Sequence, residues 1–103
     1  MEKVIGSFEL NGEQVNLVAE KFRQGKGLAI VMVADDDTPY GRLSVNLPTA
    51  AHLLQDEREC FVKTYFENEP IVEPVLATGV IRPTGRSGDG YPIWRLDDSV
   101  VIS

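Results

Sequence analysis

Nucleophilic catalysis is the first chemistry to consider, because the chain holds one thiol and one imidazole, Cys60 and His52. A catalytic nucleophile needs a base within hydrogen-bonding reach and a third group that orients this base. Cys60 shares the parity of Val62 and Phe66 in a predicted strand, which favours a small buried thiol. Neither Cys60 nor His52 belongs to a nucleophile motif such as G-x-S-x-G. The sequence therefore predicts a protein that is not an enzyme and has no catalytic residues.

The carboxylates and glycines do not form a recognisable metal or phosphate site. A structural zinc ion usually takes about four cysteine or histidine ligands, which this chain cannot supply. Asp35, Asp36 and Asp37 are consecutive, whereas a calcium loop places its acids at alternate positions. The glycine-rich stretch 85–90 precedes a predicted strand, whereas phosphate-binding loops open a helix. We therefore expect no metal and no cofactor, and we interpret the three aspartates as a solvated turn.

The charge of the chain points to protein partners more than to nucleic acids. Sixteen acidic residues against ten basic ones give a net charge of −6, which repels phosphate backbones. The basic region formed by Arg82, Arg86 and Arg95 is a weak nucleic-acid signal. We predict a basic protein partner; the alternative interpretation is a set of dispersed, solvated acids. The candidate partner-binding residues are Asp35, Asp36, Asp37, Asp56, Glu57, Glu59, Glu67, Glu69 and Glu73.

The elements that must position these residues begin with a hairpin at Asn11-Gly12. This pair is preferred in two-residue hairpin turns because both positions need positive φ. Pairing outward from the turn separates apolar from polar residues, and a one-residue slip would mix them. The predicted partners are Leu10 with Glu13, Phe8 with Val15, Gly6 with Leu17, and Val4 with Ala19.

Apolar runs predict the remaining strands. Leu28–Ala34 is apolar on both parities, which is typical of a central strand covered on both faces. A further strand is predicted by an alternating pattern, with apolar residues on one face and polar residues on the other; the apolar residues are Leu43, Val45 and Leu47. Residues 60–66, 80–84 and 91–101 also have strand patterns, and a flexible hairpin loop at 85–90 is predicted to join the last two.

Helix is predicted in only one substantial segment. Asn68 has the chemistry of an N-cap, with Pro70 in the first turn and Gly79 beyond the end, so a short helix is expected over 68–78. Pro74 argues against a regular helix there. Residues 49–55 could form a helical turn or two.

The predicted fold is therefore α+β: mainly an antiparallel β-sheet of five to seven strands, with an N-terminal hairpin and one short helix packed on the sheet. The predicted core is Phe8, Val15, Leu17, Ile30, Met32, Leu43, Val45, Phe61 or Phe66, Leu76 and Trp94.

Length and composition suggest one domain spanning residues 1–103, with 43% hydrophobic and 25% charged residues. The longest apolar run is much shorter than the roughly 18 residues of a membrane span. The N-terminal residues lack a basic stretch followed by an apolar one, and a single cysteine suits a reducing compartment. We therefore expect a cytoplasmic location and no membrane association.

Several motifs resemble a family of small uncharacterised proteins found in bacteria and on their phages, plasmids and integrative elements. The resemblance covers roughly residues 38–96. Its motifs are Leu43-Ser-Val-Asn-Leu-Pro48, Cys60-Phe-Val-Lys-Thr-Tyr-Phe-Glu-Asn-Glu-Pro70, Thr84-Gly-Arg86 and Tyr91-Pro92. The resemblance implies a mobile-element setting and no catalytic residues. At the level of class, the chain is also similar to small acidic anti-CRISPR and antirestriction proteins.

Two functions are therefore compatible with the sequence. The first is an inhibitor that binds a basic surface of a host nucleic-acid-handling defence complex by imitating DNA charge. The second is an accessory or regulatory domain of a mobile element, acting in replication, transfer or gene control through a protein partner. If charge does not govern binding, the contact is expected to be apolar, through Tyr40, Tyr65 or Trp94.

Overall fold

The computed structural model describes residues 3–21 and 28–101. Within these ranges the chain forms two antiparallel sheets of four strands each. The α+β fold with mostly antiparallel strands is confirmed, although the strands number eight rather than five to seven. The elements in order are β1 (Lys3–Leu10), β2 (Glu13–Lys21), β3 (Leu28–Ala34), β4 (Pro39–Arg42), β5 (Ser44–Val45), a first 3-10 helix (Pro48–Leu53), β6 (Glu59–Val62), a second 3-10 helix (Phe66–Ile71), α1 (Val72–Ala77), β7 (Ile81–Gly88) and β8 (Tyr91–Leu96).

The N-terminal hairpin has the predicted turn, with φ of 54° at Asn11 and 81° at Gly12. The predicted register holds from the turn as far as Gly6, which pairs with Leu17. Beyond it, an irregularity between Val4 and Gly6 shifts the pairing by one residue, so Val4 lies opposite Val18 and not Ala19. Because a bulge reverses the face of the residues beyond it, Val4 is 59% exposed and Ile5 packs on the core instead.

The chain crosses from the first sheet to the second at Leu43. The Leu43 N–H donates to the Ile30 carbonyl of β3, and the Leu43 carbonyl accepts from the Lys63 N–H after β6, each at 2.9 Å. The prediction of one strand with Leu43 and Val45 on the same face is therefore wrong. The two residues belong to different apolar clusters. Ser44, predicted to face solvent, is buried, and its Oγ accepts the Ile30 N–H at 2.7 Å.

The core consists of two clusters on opposite faces of the second sheet. The first lies between the sheets and includes Leu17, Met32, Leu43 and Trp94. The second contains Phe61 and is built from Ala50, Leu54, Phe61 and Ile93, so the predicted single core is wrong. The first 3-10 helix covers this second face. In the first sheet, β3 is central as predicted, but Val31 and Val33 are only half-buried on its outer face.

Helix α1 lies beside the two outermost strands, contacting both β1 and β7. Its start differs from the prediction, because Asn68 lies inside the second 3-10 helix and Ile71 is the N-cap residue of α1. Pro74 is accommodated since it lies in the first turn, where its missing N–H has no helical partner to lose. The adjoining Val80 packs so closely on β1 that a Cβ at Gly6 would lie 3.2 Å from its methyl groups.

The segment predicted as a flexible loop at 85–90 is largely strand. Strand β7 runs to Gly88, and a two-residue turn at Asp89-Gly90, with φ of 53° and 85°, joins it to β8. This turn has the same chemistry as Asn11-Gly12. β8 ends at Leu96, five residues earlier than predicted. No helix in the described ranges is long and apolar enough to cross a membrane.

Candidate functional site

The predicted partner-binding acids fall into three groups in the fold. Asp35, Asp36 and Asp37 form the exposed turn between β3 and β4. A second group (Asp56, Glu57 and Glu59) lies at the start of β6, and a third group (Glu67, Glu69 and Glu73) lies beyond its end. The length of β6 therefore separates the second group from the third.

The aspartate turn is held by its own side chains. The Asp36 Oδ1 accepts the Thr38 N–H at 3.0 Å, and hydrogen bonds from the Thr38 side chain and backbone lower the pKa of Asp36. The Asp35 carboxylate accepts the Asn16 side-chain amide at 3.2 Å, and Asp37 has a positive φ of 66°. These contacts account for the aspartates as turn residues, as the sequence predicted.

Glu59 is not a surface residue, so its prediction as a partner contact is wrong. Its side chain is 2% exposed and pairs with the guanidinium of Arg86. The Glu59 Oε1 also accepts the Gln55 N–H at 2.7 Å, while Arg86 Nη1 donates to the Leu53 carbonyl at 3.1 Å. Glu59 has the parity of Phe61 in β6 and thus points under the first 3-10 helix. The ion pair ties that helix to β6 and β7.

Asp56 of the second group belongs to an ion network with the C-terminal basic residues, whereas Glu57 is exposed. Arg95 donates to Asp98 Oδ1 at 2.7 Å and to Asp56 Oδ2 at 3.2 Å, and the Arg95 contact lowers the pKa of Asp98. Arg82 pairs with Asp97 at 2.9 Å. Because Arg86 is also paired, Arg82, Arg86 and Arg95 all have acidic partners. They do not form a free basic patch for nucleic acid.

The third group lies next to an exposed aromatic patch, defined here as Tyr65, Phe66 and Tyr91. Phe66 is 76% exposed, the largest exposure among the large apolar residues in the described chain, and Tyr65 is 39% exposed. The ring centroid of Tyr65 lies 4.9 Å from that of Phe66 and 5.9 Å from that of Tyr91. The Tyr65 and Tyr91 hydroxyl oxygens are 2.8 Å apart, and this hydrogen bond raises the pKa of Tyr65.

Charged groups adjoin the rings of the patch. The Lys63 Nζ lies 5.5 Å from the Tyr65 ring centroid and 5.8 Å from that of Phe66, within the range of cation–π attraction. The same Nζ lies 2.7 Å from Glu67 Oε1, which lowers the pKa of Glu67. Glu69 and Glu73 are exposed further along and make no ion pair with the described part of the chain. The patch thus combines aromatic surface with the Lys63–Glu67 ion pair, and the exposed acids Glu69 and Glu73 follow it in the chain.

The backbone presents Phe66 in an unusual conformation. Its φ of 54° lies in the left-handed region, which a bulky residue seldom adopts. The neighbouring Asn68 side chain is buried and donates to the carbonyls of Arg42 at 2.8 Å and Lys63 at 3.0 Å. The Asn68 N–H also donates to the Tyr65 carbonyl at 3.2 Å. Asn68 is therefore the residue that holds the 63–68 segment in place, and its role as an N-cap is corrected accordingly.

The two residues considered for nucleophilic chemistry lie on opposite sides of the second sheet. Cys60 is buried in the first cluster, and burial raises the pKa of its thiol to about 12. His52 is exposed on the 3-10 helix that covers the other face. Among the described residues, no group of three or more His, Cys, Asp and Glu could hold a metal ion.

The patch was only partly predictable from the sequence. The sequence predicts Tyr65 among the alternative apolar contacts, whereas Trp94, predicted with it, is 3% exposed and cannot make one. Extending strand alternation through residue 66 predicts Phe66 as an alternative to Phe61 for the core. The predicted helix start at Asn68-Glu69-Pro70 is the signal against this, because it leaves too little chain for the strand to continue to Phe66.

Comparisons with known proteins return no match: no family model, no curated protein and no solved structure is similar to this chain.

Proposed function

We propose that this protein acts by stoichiometric, non-enzymatic binding to a basic protein, with the aromatic patch and the acids Glu67, Glu69 and Glu73 as its contact surface. The observation that carries the proposal is Phe66, which is 76% exposed in a left-handed backbone conformation. Strained residues concentrate at functional sites, and exposed aromatic rings bordered by charge are typical centres of protein interfaces.

A protein partner is favoured over a nucleic acid by the charges around the rings. Aromatic side chains can stack on unpaired bases, but nucleic-acid-binding surfaces combine such rings with a basic groove. In the described part of the chain, the cation that lies over the rings is Lys63, which is paired with Glu67, and further acids follow it in the sequence. With a net charge of −6, the surface attracts basic partners and repels phosphates.

The class of partner is taken from the mobile-element setting that the sequence motifs suggest. In that setting, an acidic binding protein fits an inhibitor of a host nucleic-acid-handling defence complex, comparable with anti-CRISPR and antirestriction proteins. The alternative is an accessory or regulatory protein of the mobile element, binding a replication, transfer or gene-control protein in the cytoplasm.

The test is capture of partners from a host lysate, followed by mass spectrometry, with the tagged wild type and matched variants. Tyr65→Ser should lose the partner, whereas Tyr40→Ser should retain it, because Tyr40 is equally exposed at 38% but lies on β4 and has no ring contact with the patch. Recovery of a defence nuclease would support the inhibitor, and recovery of element-encoded proteins would support the alternative. Capture that survives both Tyr65→Ser and Phe66→Ser contradicts the proposed surface.

The contribution of charge is tested by two triple variants with the same change in net charge. Replacing Glu67, Glu69 and Glu73 by glutamine should slow association and reduce its salt dependence, because charges at an interface border act mainly on the association rate. Replacing Asp35, Asp36 and Asp37 by asparagine should have a much smaller effect. Equal effects of the two variants would mean that only the overall charge matters.

A further inference from the structure

The aromatic patch already holds a cation, and that cation belongs to the protein itself. The Lys63 ammonium lies 5.5 Å and 5.8 Å from the ring centroids of Tyr65 and Phe66, and 2.7 Å from the Glu67 carboxylate. Two rings and a carboxylate around one ammonium are the components of a cation-binding site. The Glu67 side chain is 67% exposed, so an incoming cation can reach it from solvent.

We infer that this site recognises an arginine side chain of the partner, whose guanidinium replaces the Lys63 ammonium over the rings and against Glu67. The inference rests on the proposed function and specifies the chemistry of the basic partner. Lys63 then serves as an internal competitor that occupies the site in the free protein.

Arginine suits the site better than lysine for geometric reasons. A planar guanidinium stacks on an aromatic face and presents paired N–H donors to a carboxylate, whereas an ammonium is a compact and more strongly hydrated charge. The Lys63 hydrogen bond lowers the pKa of Glu67, so this carboxylate is charged in the free protein before the exchange. Lys63 can leave the site readily, because its chain is flexible and an exposed ion pair contributes little stability.

The test uses defined peptides, nona-arginine and nona-lysine, titrated against the purified full chain by fluorescence anisotropy. We expect nona-arginine to bind about tenfold more tightly than nona-lysine to the wild type. This preference should disappear in Phe66→Ser and in Glu67→Gln. Equal binding of the two peptides to the wild type would overturn the inference.

A pair of matched variants separates competition from overall charge. Lys63→Met removes the competitor and should tighten nona-arginine binding several-fold. Lys3→Met makes the same change in charge on the exposed β1 strand, away from the patch, and should have a smaller effect. Equal effects of the two variants would show that only the net charge of the protein affects peptide binding, and the proposed role of Lys63 as a competitor would be wrong.

The two proposals can fail separately in these experiments. If Phe66→Ser loses the lysate partner but the peptides bind equally, the surface is correct and the arginine preference is wrong. If Phe66→Ser and Tyr65→Ser both retain the partner, the proposed function itself is wrong. Binding of single-stranded oligothymidine that depends on Phe66 would instead assign the rings to base stacking and overturn both proposals.

Discussion

The backbone of Phe66 is the least favourable local conformation in the candidate site. A left-handed conformation costs an ordinary residue about 1–2 kcal/mol, and an exposed ring recovers little of it by burial. The conformation persists because the buried Asn68 amide donates to the carbonyls of Arg42 and Lys63 and so anchors the chain next to the aromatic pair. The left-handed conformation of Phe66 therefore lowers the stability of the fold, at a position where the ring faces solvent.

Replacing Phe66 by asparagine should stabilise the protein and abolish partner binding. Asparagine tolerates the left-handed region, so the free energy of unfolding should rise by about 1 kcal/mol, measured by urea denaturation. Leu43→Ala provides the contrast, because it deletes a fully buried side chain and should lower the same free energy by about 2–4 kcal/mol. A clear loss of stability in Phe66→Asn would mean that the ring is needed for folding.

The buried Cys60 thiol should make stability fall at high pH. Burial, with a smaller contribution from the Glu59 carboxylate, raises the pKa of Cys60 from 9.0 to about 12. The thiol then ionises in the unfolded chain but not in the folded one. Its contribution to the free energy of unfolding is complete below pH 9 and decreases between pH 9 and about 12.

This loss should amount to about 1.4 kcal/mol per pH unit in urea titrations between these limits. Cys60→Ala should lack this component while sharing the titration of the tyrosines and lysines, so the difference between the two proteins isolates the thiol. The native thiol should also resist a disulfide reagent at pH 8 and react once the chain is unfolded. Rapid labelling of the native protein would contradict its burial.

At the scale of elements, the first 3-10 helix depends on the ion pair between Glu59 and Arg86. Arg86→Met would leave the Glu59 carboxylate buried without its cation, and should lower the free energy of unfolding by about 2 kcal/mol. Adding Glu59→Gln should recover part of this loss, because a neutral amide is less costly to bury and still accepts the Gln55 N–H. Urea denaturation of the single and double variants measures the recovery, and a double variant less stable than Arg86→Met would contradict the expectation.

At the scale of the whole molecule, acid should weaken the network that closes the C-terminal end of the second sheet. Hydrogen bonds from Ser99 and the nearby Arg82 lower the pKa of Asp97 below 3.8, and Arg95 does the same for Asp98. A carboxyl group whose pKa is lowered by folding stabilises the fold at pH values above its pKa in the unfolded chain. It loses this effect as the pH falls through its pKa in the folded protein. The thermal midpoint should therefore decrease when the pH is lowered below about 4. Asp97→Asn should have a lower thermal midpoint at neutral pH, and its midpoint should decrease less steeply in acid. An unchanged acid decline in Asp97→Asn would exclude this carboxylate as a cause.

Much of the local structure was predictable because its causes lie within short stretches of chain. Asn11-Gly12 determines the first hairpin since both residues tolerate positive φ, and Asp89-Gly90 carries the same information for the last hairpin. The apolar run Leu28–Ala34 predicts a central strand. The predicted α+β class follows from these local patterns, since alternating apolar residues must cover one another across sheets.

Tertiary structure decided the features that depend on residues distant in the chain. Which face Val45 occupies depends on where β4 ends and β5 begins, and at that crossover the Leu43 N–H donates to the Ile30 carbonyl while the Leu43 carbonyl accepts the Lys63 N–H. The candidate site depends on such contacts as well, because Asn68 anchors the exposed Phe66 through the carbonyl of Arg42. The sequence by itself determined the net acidity, the turns and most strands. Only the fold could bury Glu59 against Arg86, pair Asp56 with Arg95 and bring Tyr91 to Tyr65, because these placements arise from pairing between strands that no local pattern encodes.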